Sequence, residues 1–570
     1  MSSLDYVVLL LTILGIVAYG MWHTRGRRDL RAYLKGNERT SWVTIGLSVM
    51  ATQASAITFL STPGQGYADG LKFVQIYFGL PIAIVIIAAV FLPLYRSLNV
   101  FTAYEFLGRR FDRKTRLAGA LLFMLQRGLG AGLTIYAPAI VISTVLGWSL
   151  DLTIIVSGLL VIAYTATGGS EAVNVTQKHQ MMVAFLGMLV AFVVLVIKLP
   201  PGVGLFDALR VAGSSGKLEA VDASFDPNNR YTIWTGIFGG LFLSLAYFGT
   251  DQSQVQRYLS GGSLRQSRLG LLFNALFKIP MQFFILLLGT LVFAFYQFEK
   301  PPLFFNQAQW QAQADGPAGE TLRSLEEQFA PVHAERAGHI KDWLAAHRAG
   351  DDAAATAARA AMTATEQEAL RLRAETIQTL SDATPGAARS DHDYVFITFI
   401  LNYLPHGIIG LLIAVIFAGG LSSISAELNA LGSTTTVDLY RHVIKPSESD
   451  DHYVVASKCF TALWGLIALL FAFFFQLAEN LIQAVNLIGS LFYGPVLGLF
   501  VVAFFFKRVG GTAVFWGALA AQALVIGVHL QGRFAFLWYN PIGCISCVVF
   551  ALVLQAIIGA RPAAQPEPRS

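Results

Sequence analysis

The sequence predicts an all-α polytopic membrane protein of about thirteen transmembrane helices with one external helical insertion, and three observations carry that prediction. First, 55% of the 570 residues are hydrophobic and only 13% charged, where soluble proteins average about 25% charged; the mean hydropathy is +0.57. Second, thirteen apolar stretches approach or exceed the ~20 helical residues needed to cross about 30 Å of hydrocarbon. Third, the basic residues collect in alternate loops. Such a composition excludes a soluble enzyme, a disordered chain and a disulfide scaffold. The net charge of +5, from 40 basic and 35 acidic residues, is too small and too scattered for nucleic acid and fits loops that orient a protein in a bilayer. The three cysteines, Cys459, Cys544 and Cys547, lie in apolar runs and read as packing residues.

The stretches fall near 5–22, 42–67, 73–97, 117–146, 151–167, 178–199, 231–250, 269–298, 407–431, 453–476, 482–506, 511–530 and 535–558. The first lacks a basic region before it and a small-residue cleavage site after it, so it reads as a retained helix rather than a signal peptide. The loop after it holds Arg25, Arg27, Arg28, Arg31, Lys35 and Arg39. The loop after span three holds Arg109, Arg110, Arg113, Lys114 and Arg116, and Arg257, Arg265, Arg268, Lys507 and Arg508 fall on that same side. Basic loops stay cytoplasmic, which predicts an external N-terminus, a cytoplasmic C-terminus and residence in the plasma (inner) membrane. Residues 300–394 interrupt the pattern with Ala-, Glu-, Arg- and Gln-rich sequence, helix-like at Thr321–Phe329, Ile340–His347 and Ala354–Leu380. They follow an outward-going span and read as an external helical insertion. The Pro- and Ala-rich tail after Arg561 reads as disordered.

Within the spans, breaks and polar groups mark candidate sites, because backbone that leaves helical geometry in a bilayer must be satisfied by protein, water or ions. Span two reads S-V-M-A-T-Q-A-S-A-I-T-F-L-S-T-P-G-Q-G-Y over Ser48–Tyr67, and span nine reads A-G-G-L-S-S-I-S-A-E-L-N over Ala418–Asn429. Adjacent hydroxyls beside carbonyls freed by a break supply the hard oxygens a small alkali cation needs, although small residues also serve close helix packing. Ionisable residues inside a membrane are costly, which singles out Arg127 in span four, Lys278 in span eight and Glu427 in span nine. Each either braces the bundle or lines a path for solute or ion. Gln53, Gln75, Tyr77, Ser244 and Tyr247 add polar side chains that can converge on the same cavity. No HExxH, GxSxG or clustered His marks an enzyme.

Four segments together resemble the sodium/solute symporter family, over roughly 42–508. They are T-Q-A-S-A-I-T-F-L-S-T-P-G-Q-G-Y in span two, Y-T-A-T-G-G-S-E-A-V-N-V-T-Q-K-H-Q (Tyr164–Gln180), Y-F-G-T-D-Q-S-Q-V-Q-R-Y-L (Tyr247–Leu259) and G-G-L-S-S-I-S-A-E-L-N-A-L-G-S-T-T-T-V-D-L-Y (Gly419–Tyr440). The resemblance implies a core of two inverted five-helix repeats with discontinuous first helices (LeuT-like). They would occupy 42–199 and 231–506, the second interrupted by 300–394. Residues 1–41 then form an extra helix and basic loop, and 507–570 two further helices and a short tail. The breaks would fall in spans two and seven.

The family's shared sodium site maps onto the carbonyls of Ala51, Ala54 and Gly419 and the hydroxyls of Ser422 and Ser423. A second site in some members uses an Asp where this chain has Gln177, followed by Lys178, so the resemblance implies one Na⁺ per cycle. Sugar ligands of the galactose-carrying branch fall here on Thr58, Tyr77, Gly130 and Val485, with only Lys278 and Tyr247 kept. The run T-I-Y-A-P-A (Thr134–Ala139) is instead similar to the iodide, multivitamin and monocarboxylate branch. Sialic-acid carriers hold the substrate carboxylate with an Arg at the position of Gly130, and Arg127 lies one turn away on the same helix face. The implied function is Na⁺-coupled symport of a small organic solute, carboxylate-bearing by preference, by alternating access. The alternatives are a Na⁺/sugar or polyol symporter and a membrane solute sensor that retains the carrier fold. The implied partners are the solute, sodium and the lipid bilayer, with no nucleic acid and an oligomeric state left open.

Overall fold

The computed structural model describes residues 1–23, 41–98, 100–383, 390–473 and 480–559, and these form helices and no strand. The side chains of 16–23, 164, 166–176 and 178 lie outside that description. Helix α1 (Ser3–His23) precedes α2 (Trp42–Gln53) and α3 (Ala56–Asp69), the halves of one broken helix. A 3-10 segment, Gly70–Tyr77, leads into α4 (Leu80–Ile86), a π segment (Ile87–Phe91) and α5 (Leu92–Leu98). Then come α6 (Ala103–Arg110), α7 (Arg113–Leu146), α8 (Leu150–Ile197) and α9 (Leu205–Ser214). A π segment (Thr235–Gly239) opens α10 (Gly240–Gly249), which breaks before α11 (Gln252–Leu259) and is followed by α12 (Leu264–Phe295). The insertion supplies α13 (Gln307–Ala314), α14 (Gly319–Ala349) and α15 (Asp352–Ala383), followed by α16 (His392–Tyr403). Helix α17 (Ile408–Thr434) continues as a π segment (Thr435–Ile444). The chain closes with α18 (Asp450–Ala472), α19 (Leu481–Phe505), α20 (Gly511–Gln531) and, after a 3-10 turn, α21 (Tyr539–Ile558).

Each of the thirteen expected stretches is helical over most of its described length. Among the described residues nine helical stretches are long and apolar enough to cross a membrane, and Ser3–Gly15, Leu150–Ala163 and Thr235–Gly249 are shorter apolar helices. Leu10, Leu11 and Leu14 on α1, Leu159 and Leu160 on α8, and Leu466 and Leu470 on α18 are all exposed. Apolar faces of this kind suit a lipid environment and not water. The protein is a multi-pass membrane protein.

Both breaks fall where hydroxyl-bearing residues offer the backbone an alternative to the helical ladder. At the first, Ala54 (φ −85°, ψ 67°) and Ser55 (φ −79°, ψ −179°) leave helical geometry. The Thr58 hydroxyl donates back to the Gln53 carbonyl at 2.9 Å, and that of Thr52 to Ser48 at 2.8 Å. The second break lies at Thr250 and Asp251, at the predicted end of span seven. There the Tyr95 hydroxyl meets the Gly249 carbonyl at 2.7 Å and the Tyr104 hydroxyl meets the Thr250 carbonyl at 2.8 Å. Asp251 caps α11 by accepting from the Ser253 N–H at 2.9 Å.

Two expectations about element bounds change. Spans five and six were expected as separate stretches, but α8 runs unbroken from Leu150 to Ile197; no proline interrupts that run. In the insertion, the stretches expected at Thr321–Phe329 and Ile340–His347 are one helix, α14, which continues through Pro331 and lies antiparallel to α15. An Arg336–Glu366 ion pair of 3.0 Å ties the two together.

The hairpin is fastened to the bundle at both ends. Arg348 pairs with Asp207 on α9 at 2.6 Å. Arg373 pairs with Asp391 at 2.5 Å, and the other oxygen of Asp391 accepts the Phe305 N–H at 2.5 Å. Asp391→Ala strands a mostly buried guanidinium and an amide at once, so it is expected to cost the attachment about 3 kcal/mol. Hydrogen exchange across 307–383 should then accelerate; unchanged exchange would assign the fastening to Arg348 alone.

Packing sorts the core helices into two sets. Helix α12 lies along both α2 and α3, whereas α17 is surrounded by α7, α8 and α18. The contact of α12 with α3 is backbone on backbone. A Cβ at Gly289 would sit 2.0 Å from the Pro63 carbonyl oxygen, and one at Gly66 would sit 2.3 Å from that of Leu286.

Candidate functional site

The end of α2 meets α17 at a cluster of oxygens. The Ser423 hydroxyl, buried, points to the Ala51 carbonyl at 3.4 Å. Ser422 donates to the Gln180 side-chain oxygen at 2.6 Å. Across the break, the Ala54 carbonyl oxygen lies 3.8 Å from where a Cβ on Gly419 would stand. Ser423 is thereby brought to Ala51 and Gly419 to Ala54, while the Ser422 hydroxyl beside them is engaged with Gln180. Their donor set is all oxygen, from carbonyls and hydroxyls, which is what a small hard cation requires.

One turn along, Gln177 is fully buried. Its Oε1 accepts the Ser48 hydroxyl at 2.9 Å, and its Nε2 reaches Thr52 Oγ1 at 3.4 Å. The amide thus spends its acceptor on a neighbouring helix and brings no negative charge. The Lys178 side chain lies outside the described residues.

Beside the oxygen cluster is a cavity of about 140 Å³. Gln53, Thr58, Tyr77, Arg127, Ser244, Tyr247 and Lys278, all singled out from sequence, line it. Gln75 does not. Its amide donates to the Tyr231 carbonyl at 2.9 Å and accepts the Asp222 N–H at 3.0 Å, so it fastens the 3-10 segment to the loop ahead of α10. Gly130 is also absent from the wall; its carbonyl accepts the Thr134 hydroxyl at 3.1 Å, and a Cβ there would meet nothing within 4 Å.

The two buried cations of the cavity are in opposite situations. Arg127 on α7 is bonded to Glu427 on α17 at 3.1 Å, to the Tyr493 hydroxyl on α19 at 3.1 Å, and to Asp251 at the break before α11. Its guanidinium also faces the Tyr247 ring at 5.5 Å. Four helices converge on this one side chain. Lys278 on α12 has its Nζ 5.7 Å from the centre of the Tyr77 ring, and no carboxylate lies within ion-pair distance of it among the described residues.

Sequence reading did not assign roles to Asp251, Gln282, Asn486 and Tyr493, which the structure places at or beside the cavity. Two of them carried a usable signal. Gln282 follows Lys278 by four residues and so shares its helix face. Asp251 ends the run Y-F-G-T-D, where a freed backbone needs an acceptor. Tyr493 and Asn486 sit in an apolar span with nothing to distinguish them.

Comparison with known proteins gives concordant matches. The family model described as "SSF: Sodium:solute symporter family" matches residues 33–308 and 366–521. The sodium-dependent multivitamin transporter of Oryctolagus cuniculus is 28% identical over 536 residues, which is 93% of this chain and 70% of that protein. The human sodium/iodide cotransporter is 26% identical over 92% of this chain and 69% of its own length. The sodium/sialic acid symporter NanT of Aliivibrio fischeri is 25% identical over 96% and 92%. Among solved structures, a substrate-bound, outward-open Na⁺-coupled sialic acid symporter superposes with a TM-score of 0.75 at 23% identity, covering 99% of this chain and all of that one. That likeness shows the shared fold.

Proposed function

The chain belongs to the sodium:solute symporter family, and on that premise we propose that it carries a small carboxylate-bearing solute inward across the plasma membrane, with one Na⁺ per cycle. It is a transporter and not an enzyme, and sodium is its coupling ion. The observation that supports an acidic solute is the cavity itself: a space of about 140 Å³ whose wall carries Lys278 with no carboxylate partner among the described residues, next to the oxygen cluster of α2 and α17.

The cycle follows from that adjacency. External Na⁺ settles among the carbonyls of Ala51, Ala54 and Gly419 and the hydroxyls of Ser422 and Ser423, holding α17 against the broken helix. Solute enters between α3, α7, α10 and α12 while that contact persists. Because Na⁺ and solute favour the same arrangement, each raises the affinity for the other by the same factor. The loaded carrier rocks inward, and Na⁺ departs into a low-sodium cytoplasm. Each Na⁺ moved through 100 mV contributes about 2.3 kcal/mol before any concentration difference is counted. Gln177, an uncharged amide engaged with Ser48, supports a stoichiometry of one. The basic loops after spans one and three support an external N-terminus and a cytoplasmic C-terminus. Repeats at 42–199 and 231–506 are the units we expect to move against each other.

The test is the melting temperature of detergent-purified protein across a panel of carboxylates, sugars and polyols, in NaCl and in choline chloride at equal ionic strength. Ligand at about a hundred times its Kd stabilises by about 2.7 kcal/mol. A carboxylate that stabilises only in Na⁺ is the expected result. A sugar or polyol doing so in its place would replace the solute class, and no Na⁺ effect with any solute would overturn the cation site.

A further inference from the structure

Asn274, Lys278 and Gln282 recur every fourth residue along α12 and so share one face of it. Lys278 and Gln282 line the cavity, and Gln53 joins the stripe to α2 by donating to the Asn274 side chain at 3.3 Å. Gln282 is 1% exposed, yet among the described residues neither end of its amide has a hydrogen-bond partner, and the Asn274 amide nitrogen is likewise unmet. Buried polar groups are nearly always satisfied, and one left unmet costs the fold a desolvation penalty that a ligand's polar atoms recover. With Lys278 lacking a carboxylate partner, this wall carries one positive charge and unused donors.

The opposite wall is the reverse. Arg127 is already held by two carboxyl groups, Asp251 and Glu427. A carboxylate approaching Arg127 would be the third anion around one cation, and like charges at that range repel strongly where water is excluded. The cation of the cavity that is not already paired is therefore the one on α12, whereas the one on α7 is spoken for. Its volume of about 140 Å³ is close to the ~150 Å³ that accommodates a benzene molecule in an engineered protein cavity. Between the polar ends the wall is apolar, with Ile57, Ile76, Leu243 and Val485.

Given the carboxylate reading above, on which this rests, we propose that the solute's carboxylate is received by Lys278 and Gln282 of α12, with Arg127 taking no part in holding it, and that the solute is a monocarboxylate with a body about the size of a benzene ring. Gln282 is then a specificity-determining residue. Its amide donates one hydrogen bond to the carboxylate while the Lys278 ammonium neutralises it, and the neutral amide of the same acid gains only the first of these.

The experiment uses the full-length purified protein with sodium benzoate, benzamide and sodium 2-naphthoate as probes, in NaCl and in choline chloride, read as the concentration giving half-maximal thermal stabilisation. Wild type is expected to respond to benzoate in Na⁺, at least tenfold more weakly to benzamide, and not to the larger naphthoate. Gln282→Leu and Lys278→Met each raise the half-saturating benzoate concentration about tenfold or more, because hydrogen bonds to a charged group are the strong ones. Gln282→Glu, which gives Lys278 a carboxylate of its own, abolishes the response. Gln282→Leu swaps one uncharged side chain for another and remains readable if the charge-changing variants fold poorly. A wild type that responds to benzoate while Gln282→Leu responds equally overturns this inference alone. A wild type that responds to naphthoate as well as to benzoate overturns the size assignment. A wild type that responds to no carboxylate in Na⁺ overturns the carboxylate reading and this inference with it.

Discussion

Ser423→Ala is expected to abolish Na⁺-stimulated uptake while leaving the sodium-free protein as stable as wild type. The hydroxyl is buried and points at the Ala51 carbonyl from 3.4 Å, on the far side of the place where a cation would touch both. Removing it takes away one ligand oxygen and leaves a methyl group that neither coordinates nor clashes. A hydrogen-bond-scale interaction with a charge is worth about 1.5–3 kcal/mol, so the Na⁺ concentration for half-maximal uptake should rise tenfold or more, beyond the physiological range. Ser422→Ala should act in the same direction but also release the Gln180 side chain. The measurement is initial uptake rate against Na⁺ concentration in proteoliposomes, beside a sodium-free melt. An unchanged Na⁺ dependence would remove Ser423 from the cation site.

Arg127→Met is expected to be the most destabilising single substitution in the cavity wall. It leaves Asp251 and Glu427 buried and close together without a cation, and breaking a buried pair by deleting one partner costs about 3–5 kcal/mol. The triple variant Arg127→Met, Asp251→Asn, Glu427→Gln removes all three charges together and should recover most of that loss, because no uncompensated charge is left. The check is thermal unfolding of the single and triple variants in detergent. If the single variant melts like wild type, the guanidinium is dispensable to the bundle and its role lies with the solute after all.

Much of this was legible in the sequence, for identifiable reasons. The hydroxyl-rich runs around Ser48–Tyr67 and Ala418–Asn429 announce themselves because serine, threonine and glycine are conspicuous among leucines, and both sit at the oxygen cluster. The break in span two is legible because Thr52 and Thr58 compete locally with the helix; their effect is written within a few residues of chain. Lys278 is visible as a lone ammonium in an apolar span. Partnerships across the bundle are not written that way. Arg127 meets residues 124 and 300 positions away, and no periodicity records which helices will face each other. Without those partners Arg127 reads as a free cation suited to a carboxylate. Gln75 misleads for the same reason: its amide serves a loop 147 residues further on. Gln282 was overlooked because a single glutamine in a long span carries no meaning until its surroundings show that nothing satisfies it.

The glycines that let α12 and α3 touch through their backbones have a mechanical consequence. With Gly289 against Pro63 and Gly66 against Leu286, the two backbones meet with no side chain between them, so α12 and α3 are joined as one closely packed unit. The solute seat proposed on α12 would therefore travel with α3, the second half of the broken helix, as a single lever arm. The oxygens of α17 belong to the other packing set, so the proposed sodium site would lie at the fulcrum. An ion there would feel every degree of rotation between the two sets, whereas the solute would ride on one of them, so the expected order of release is sodium at the first opening of the seam and cargo only afterwards.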